Sequence, residues 1–457
     1  MSRLNRRHFI QSSSLLGAAV WVPGQNGWAA TEQGRWYRGN LHLHTQWSDG
    51  SPMPEWVVAW YKEQGYHFIC TSDHNTFQTN ELQFGAWCGA CETPKDLEPF
   101  RERNSRWKEV QSASWGRLSE ESVEQAVAKF GADALPSITQ NDRKYYRLKP
   151  FDELVEQFAQ PGEFLIIPGF EQTGRSQDQR EVHMNFINVR HFFPYISAAD
   201  GPQTVVENFK RGRELYANQA EPYMFTLNHP AWRYYDVEPD VLIDHPEIRF
   251  FELNNNGLTF AEDPNGWTPE KFWDVVNAHR ARAGQPLVLA TGTDDEHSYQ
   301  RKSPRAWMMV YAESLDFPTL FAAMDRGDSY TSNGLDFERI VFDRDAGTLS
   351  VRVKPEPDRK YRIDWIGTKK NFDDTRTEIH IPAQGNRPER FVGRWSDAIG
   401  ETLKTVEGTE ATYTLAEDDL YVRARVTLIT EKPEFQDGQK AIPLPGAWTQ
   451  PFSRLTR

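Results

Sequence analysis

The feature that most constrains this chain is a recurring pairing of an apolar run with a histidine or carboxylate at its end. The run 39–45 carries His42 and His44, two apart, so on a strand both imidazoles share one face. Asp49 follows directly, in Ser48-Asp49-Gly50. The run 66–71 leads into Ser72-Asp73-His74-Asn75, the run 164–170 into Glu171, and the run 223–227 into Asn228-His229-Pro230. Residues 182–189 alternate and carry His183, and residues 248–253 contain Glu252 and lead into three asparagines. Residues 286–290 lead into Thr291-Gly292-Thr293-Asp294-Asp295-Glu296-His297. Six of the 12 histidines fall at these ends; His8, His67, His191, His245, His279 and His380 lie in the leader, at strand starts, in helices or in the tail. A chance scatter would not sort them this way.

Helical stretches separate the runs. Residues 52–64 predict a helix, with Pro54 near its start and Gly65 as a stop, and residues 315–326 predict another. Strands alternating with helices indicate parallel βα units, and in α/β barrels the active site lies at the strand C-termini. Residues 76–147 break the pattern and read as an insertion, with its clearest helix over 120–130. From 336 to 457 the short alternating runs 348–353, 361–366 and 421–427 are separated by Gly, Pro, Asp and Asn turns. That texture predicts a smaller all-β, sandwich-like C-terminal domain.

Gathered in order, His42, His44, Asp49, His74, Glu171, His183, His229, Asp295 and His297 form a nitrogen and oxygen donor set without thiolates. Such a set suits Zn, Mn or Fe, and several carboxylates allow two or three divalent ions to sit close together. The three cysteines supply no competing site: Cys88 and Cys91 have C-x-x-C spacing without a second pair, so a local disulfide is the expectation, and Cys70 reads as core. Arg180, Arg233 and Arg301 follow ligand-bearing strand ends and are the candidates to hold an anionic substrate group, with Arg233 first because it continues directly from His229.

A net charge of −13, from 65 acidic and 52 basic residues, argues against a general nucleic-acid or anionic-membrane binder. The N-terminus has Arg6-Arg7, an apolar stretch over 15–22, and small residues at Gly27, Ala29 and Ala30. This pattern predicts a twin-arginine signal peptide over residues 1–30. The apolar stretch is shorter than the roughly 20 residues that a span requires. The expected mature protein therefore has no transmembrane segment. It would fold and take up its metals before passing the twin-arginine machinery to the periplasm or exterior.

The motif order resembles the PHP (polymerase-and-histidinol-phosphatase) superfamily over roughly residues 36–335. The resemblance rests on His42-x-His44-Thr45, Ser48-Asp49-Gly50, Thr71-Ser72-Asp73-His74-Asn75, Glu171, His183, Asn228-His229-Pro230 and the 292–297 segment. Softer features, His183-Met184-Asn185-Phe186, Phe251-Glu252-Leu253-Asn254 and residues 327–334, resemble the carbaryl- and carbofuran-hydrolase branch. The resemblance implies a distorted (β/α)7 barrel over residues 31–335, with two or three metals at the strand ends. Carried over by position, His42, His44, Glu171 and the last aspartate would bind one or two ions, and Asp49, His74, His183, His229 and His297 would extend the cluster. This chain has one acidic residue more than the family's Gly-Ser-Asp-x-His motif. Spacing from His297 favours Asp295 as the ligand; adjacency to the glycine favours Asp294.

The expected chemistry is hydrolysis of a small-molecule ester by metal-activated water, with His229 or the spare Asp294 assisting the leaving oxygen. A phosphomonoester or phosphodiester leads, and a carboxyl or carbamate ester on the same metals is the alternative. A reading from another class is a surface or glycan-binding protein whose barrel is inactive.

Overall fold

The structure is a computed structural model and describes residues 34–78, 107–109, 118–140, 142–256, 268–299, 304–383, 385–429, 434–436, 440–442 and 444–455. The leader over 1–30, Cys88 and Cys91, Arg301, and much of the insertion lie outside the described residues, as does the Arg233 side chain.

Nine strands build the part of the sheet that carries the histidines. They are β1 (Arg35–Asn40), β2 (Phe68–Thr71), β3 (Leu165–Arg175), β4 (Glu181–Ile187), β5 (Met224–Leu227), β6 (Phe250–Asn255), β7 (Leu289–Thr293), β8 (Trp307–Ala312) and β9 (Ser329–Ser332). Their spatial order is β7-β6-β5-β4-β3-β2-β1-β8-β9. β1 pairs parallel with β2, β2 with β3, β5 with β6, and β6 with β7. β4 runs antiparallel to both β3 and β5, so β1, β2, β3, β5, β6 and β7 share one direction. β2 and β5 are buried at every position, as strands covered on both faces must be.

The reversal of β4 departs from the expected run of βα units, and the reason is length. Only residues 176–180 join β3 to β4, whereas a parallel crossover needs a dozen or more residues. The hairpin puts the start of β4, with His183, at the same sheet edge as the ends of its neighbours.

Among the described residues the strands do not close into a continuous ring. The β7 end returns to the β1 end through one parallel bridge, Leu43 to Glu296. There the His44 N–H donates to the Glu296 carbonyl (3.2 Å), and the Asp295 N–H donates to the His42 carbonyl (3.0 Å). The sheet is therefore mixed, large and open, with its first and last ligand-bearing segments joined at this point.

Helices cap where the sequence provides caps. Asp200, Thr268 and Asp316 each accept from a backbone N–H three residues on and are followed by Pro at N1 or N2. The helix Pro54–Glu63 is slightly shorter than the 52–64 expectation, the helix Glu120–Phe130 matches it, and Phe317–Arg326 starts two residues later. In the insertion, Trp107–Glu109, Arg143–Arg147 and Ser137–Gln140 form a small separate sheet. No helix among the described residues is long and apolar enough to cross a membrane.

The tail is all β. Gly446–Thr449, Asp419–Leu428, Tyr361–Lys369 and Glu401–Glu407 extend the main sheet beyond β9, so the ladder runs through thirteen strands. Phe337–Asp343, Thr348–Val353 and Glu410–Thr414 form a second sheet. The two share an apolar core of Ile340, Leu349, Val351, Ile363, Trp365, Val422 and Val426. The tail meets the helix Pro269–Arg282 through a buried pair: Arg423 donates to Asp274 at 3.0 and 2.7 Å.

Candidate metal centre

β1 ends at Asn40, and residues 41–44 continue past it with the strand's alternation intact. Leu41 and Leu43 are buried in apolar clusters, which turns His42 and His44 the other way. Their Nε2 atoms lie 3.1 Å apart, and both residues are fully buried. After His44 the chain doubles back. The Ser48 and Gly50 N–H groups both donate to the Thr45 carbonyl at 3.0 Å. A Cβ on Gly50 would sit 2.5 Å from the His44 carbonyl oxygen, so the turn needs glycine for close approach.

Asp73 pins that turn. Its Oδ1 accepts from the Thr45 N–H (2.8 Å), the Ser48 N–H (3.1 Å) and the Ser48 hydroxyl (2.7 Å). Its Oδ2 accepts from the Thr45 hydroxyl (2.9 Å) and from Gln78 Nε2 (2.5 Å). The result delivers Asp49, 5% exposed, into the cluster with Oδ1 3.5 Å from both His74 Nε2 and His297 Nε2.

Glu171, on β3, is the shared centre. Its carboxylate lies 3.3 Å from His42 Nε2, 3.6 Å from His44 Nε2, 2.5 Å from His74 Nδ1, 3.2 Å from His183 Nδ1 and 3.9 Å from His229 Nε2. Asp295 Oδ1 lies 3.2 Å from His42 Nε2 and 3.0 Å from His44 Nε2. Three overlapping groups could each hold an ion: His44, Asp49, His74 and His297; His42, His44 and Glu171; and Glu171, His183 and His229. The eight ligand candidates of these groups, with Asp295 beside them, are the nine residues gathered from the sequence.

The two aspartates separate by geometry. Asp295 faces the histidines, whereas the Asp294 carboxylate accepts from the Tyr61 hydroxyl (3.3 Å) and the Arg305 N–H (2.8 Å) in a fully buried setting. The sequence reading offered Asp294 as a proton donor to the leaving oxygen; its carboxylate here meets Tyr61 and the segment at Arg305. Asp295 has φ 43° and His229 φ 26°. Such left-handed backbone at non-glycine residues costs energy and gathers at functional sites.

Glu252 is the residue whose role the sequence reading missed. Its Oε1 lies 2.7 Å from His42 Nδ1 and accepts from the Thr293 hydroxyl (2.8 Å), and its Oε2 accepts from the His229 N–H (3.1 Å) and Asn255 Nδ2 (3.0 Å). A carboxylate on Nδ1 favours the proton there, so that the Nε2 lone pair would be free for an ion in the cluster. His297 is set the same way, with Nδ1 2.9 Å from the Asp295 carbonyl. The available signal was the even spacing of Glu252 and Asn254 along β6, which marks Glu252 as a carboxylate on a strand with other polar residues at its end.

The electrostatics are those of mutually stabilised charges. Burial alone would raise Glu171, but His74, His42 and His183 hold its carboxyl well below the usual range. Burial also opposes ionised Asp295, and His42, His44 and His297 overcome it. Burial lowers His44 to about 3, helped by His297 and His74. Burial, then His183, lowers His229. In His74 the Glu171 carboxylate outweighs burial and raises the imidazole to about 9.

The donor set fits divalent transition metals. The Nε2 atoms of His42 and His44 converge with the Glu171 and Asp295 carboxylates at 3.0–3.6 Å. Asp295 Oδ1 is buried without a hydrogen-bond partner. Cations would satisfy both.

Of the expected anion-binding arginines, Arg180 is committed elsewhere. Its Nε lies 2.9 Å from Asp178 and its Nη1 3.6 Å from Glu238. The accessible rim instead carries Trp232, 38% exposed, with its ring edge-on to His183 and His229 at 5.7 and 5.2 Å.

No family model matches the sequence, and no curated protein matches it. Among solved structures, a two-domain protein from Bacteroides vulgatus containing a predicted PHP-like metal-dependent phosphoesterase aligns over 90% of this chain and 95% of its own, at 12% identity and a TM-score of 0.37. A presumed metal-dependent phosphoesterase from Bifidobacterium adolescentis aligns over 63% of this chain and 94% of its own, at 12% identity and a TM-score of 0.27. An amidohydrolase from Chromobacterium violaceum aligns over 58% and 89%, at 11% identity and a TM-score of 0.26. Scores this low carry no argument, and the reading of this chain rests on its own His, Asp and Glu cluster.

Proposed function

We propose that this chain is a metal-dependent hydrolase of a small phosphoester, built on a PHP-like arrangement of ligand-bearing strand ends. The observation that carries it is the convergence of His42 and His44 Nε2, 3.1 Å apart, with the Glu171 and Asp295 carboxylates. His42, His44, Asp49, His74, Glu171, His183, His229, Asp295 and His297 would hold two or three ions of Mn, Zn or Fe. Such ions supply positive charge against the scissile oxygen and make water acidic enough to attack at neutral pH.

The chain's own part is orientation. Glu252 sets His42, the Asp295 carbonyl sets His297, and Asp73 holds the turn that presents Asp49. Burial and His183 lower His229, which suits it to the ligand role, and it stays the candidate to assist the leaving oxygen. Arg233 is the candidate to meet a phosphoryl oxygen; Arg301 is the second. Export through the twin-arginine pathway to the periplasm or exterior accompanies this reading, supported by Arg6-Arg7 and the stretch after it.

A neutral carboxyl or carbamate ester is the second reading, favoured by Arg180 being tied to Asp178 and Glu238 and by the exposed Trp232 at the rim. It is also the reading that agrees with the carbaryl-hydrolase branch. Protein loaded with Mn, Zn or Fe should hydrolyse p-nitrophenyl phosphate or bis-p-nitrophenyl phosphate. Inertness towards both, with turnover of a naphthyl carbamate, would replace the first reading with the second.

A further inference from the structure

The C-terminal domain grips the rim of the metal cluster through an ion network centred on the buried Asp236. Its hairpin of Arg376–Ile381 and Arg390–Trp395 projects towards residues 229–238. Arg390 Nη1 lies 2.5 Å and Arg387 Nη1 2.9 Å from the Asp236 carboxylate, and Arg387 Nη2 lies 3.1 Å from Glu181 Oε1. Arg376 Nη2 donates to Glu238 Oε2 (2.7 Å), which also accepts from the Gly393 N–H (3.1 Å).

These contacts bracket one of the three metal groups. Asp236, 3% exposed, accepts from the Glu181 N–H (3.2 Å), and Glu181 opens β4 two residues before His183. Asp236 also ends the short helix Trp232–Tyr235, which begins where the Trp232 N–H donates to the His229 carbonyl (2.9 Å). One pair of arginines therefore ties down both segments that bring His183 and His229 to Glu171. The need is physical. The side chains of His183 and His229 are 11% and 14% exposed, against 0% for His42 and His44, and His229 sits in left-handed backbone. A buried carboxylate shared by two arginines is costly to break, because removing a partner strands the charge.

We propose that Arg387 and Arg390 are positioning residues through which the C-terminal domain sets the occupancy of the Glu171, His183 and His229 group. The proposal rests on the metal reading above. Full-length Arg387→Ala/Arg390→Ala protein would be compared with wild type and with Arg352→Ala, whose exposed pair with Glu410 lies on the outer sheet of the same domain. Two readouts serve: metal content and affinity by mass spectrometry and calorimetry with Mn2+ or Zn2+, and amide hydrogen exchange of metal-free protein over 181–185 and 229–238. The double variant should hold one ion fewer, or bind it about 10–100-fold more weakly as supporting residues do. It should also exchange faster in both segments, with Arg390→Lys restoring part of each effect and Arg352→Ala matching wild type.

Wild-type metal content and wild-type exchange in the double variant would overturn the proposal. Wild-type protein that binds no transition metal would overturn the metal reading, and the occupancy claim with it, while the exchange comparison would still decide whether the clamp exists. If the double variant does not fold, Arg390→Lys and Asp236→Asn decide by the same two readouts.

Discussion

His42 Nδ1 and Glu252 Oε1 lie 2.7 Å apart, and both side chains are wholly buried. The contact decides which imidazole nitrogen faces the cluster. Glu252→Gln keeps the shape but accepts the Nδ1 proton weakly, so metal affinity should fall by about 10–100-fold, read by calorimetric titration of metal-free protein. Unchanged affinity would remove Glu252 from the supporting set.

Glu171 belongs to two of the three groups, whereas Asp49 belongs to one. Glu171→Gln should therefore lower metal content more than Asp49→Asn does, and weaken binding beyond the roughly 100-fold of a supporting residue. Equal losses in the two variants would contradict the sharing of Glu171.

Glu55 gives a pH-dependent stability away from the cluster. It is 1% exposed, and among the described residues no other hydrogen-bonds either carboxylate oxygen. Burial pushes its carboxyl up to about 7, against its own N–H and Lys149. The folded state thus favours the protonated form. The native pKa lies above the unfolded value of about 4.3, so stability is greatest below that value, falls as pH rises towards 7, and then levels. The loss should be on the order of 3–4 kcal/mol. Glu55→Gln should flatten this part of the slope, giving a higher urea midpoint than wild type at pH 8 and little difference at pH 4.

Arg423 tests the joint between sheet and tail. It is 1% exposed and paired with Asp274 and Glu270 at 2.7 and 2.8 Å. Arg423→Ala strands the buried Asp274 carboxylate, while Glu270 keeps Arg425, and should cost about 3–5 kcal/mol in chemical denaturation.

The nine ligand candidates were legible because histidine and carboxylate at the end of an apolar run are poorly placed for anything but a site. The all-β tail was legible from its alternation and turn residues. Glu252 was not assigned, because its even spacing with Asn254 marks a polar strand face but not a partner 210 residues away. Spacing from His297 favoured Asp295 over Asp294, but what separates them in the fold, the left-handed backbone at Asp295 and the Tyr61 hydroxyl on Asp294, has no local signal. The reversal of β4 was not legible, because the apolar run before it ended at residue 170 and left 171–181 as the connection, whereas β3 continues to Arg175. The clamp on Asp236 was out of reach, because it pairs residues about 150 positions apart.

The central claim is that these side chains hold divalent transition metals and use them for hydrolysis. The most direct measurement is elemental analysis of protein purified without chelator, alongside His42→Ala, with ester hydrolysis assayed on the same samples. The account predicts two to three transition-metal equivalents in the wild type, fewer in the variant, and hydrolysis that disappears with chelator and returns with metal. A wild-type protein free of transition metal, or a His42→Ala variant with full metal content and full hydrolysis, would contradict it.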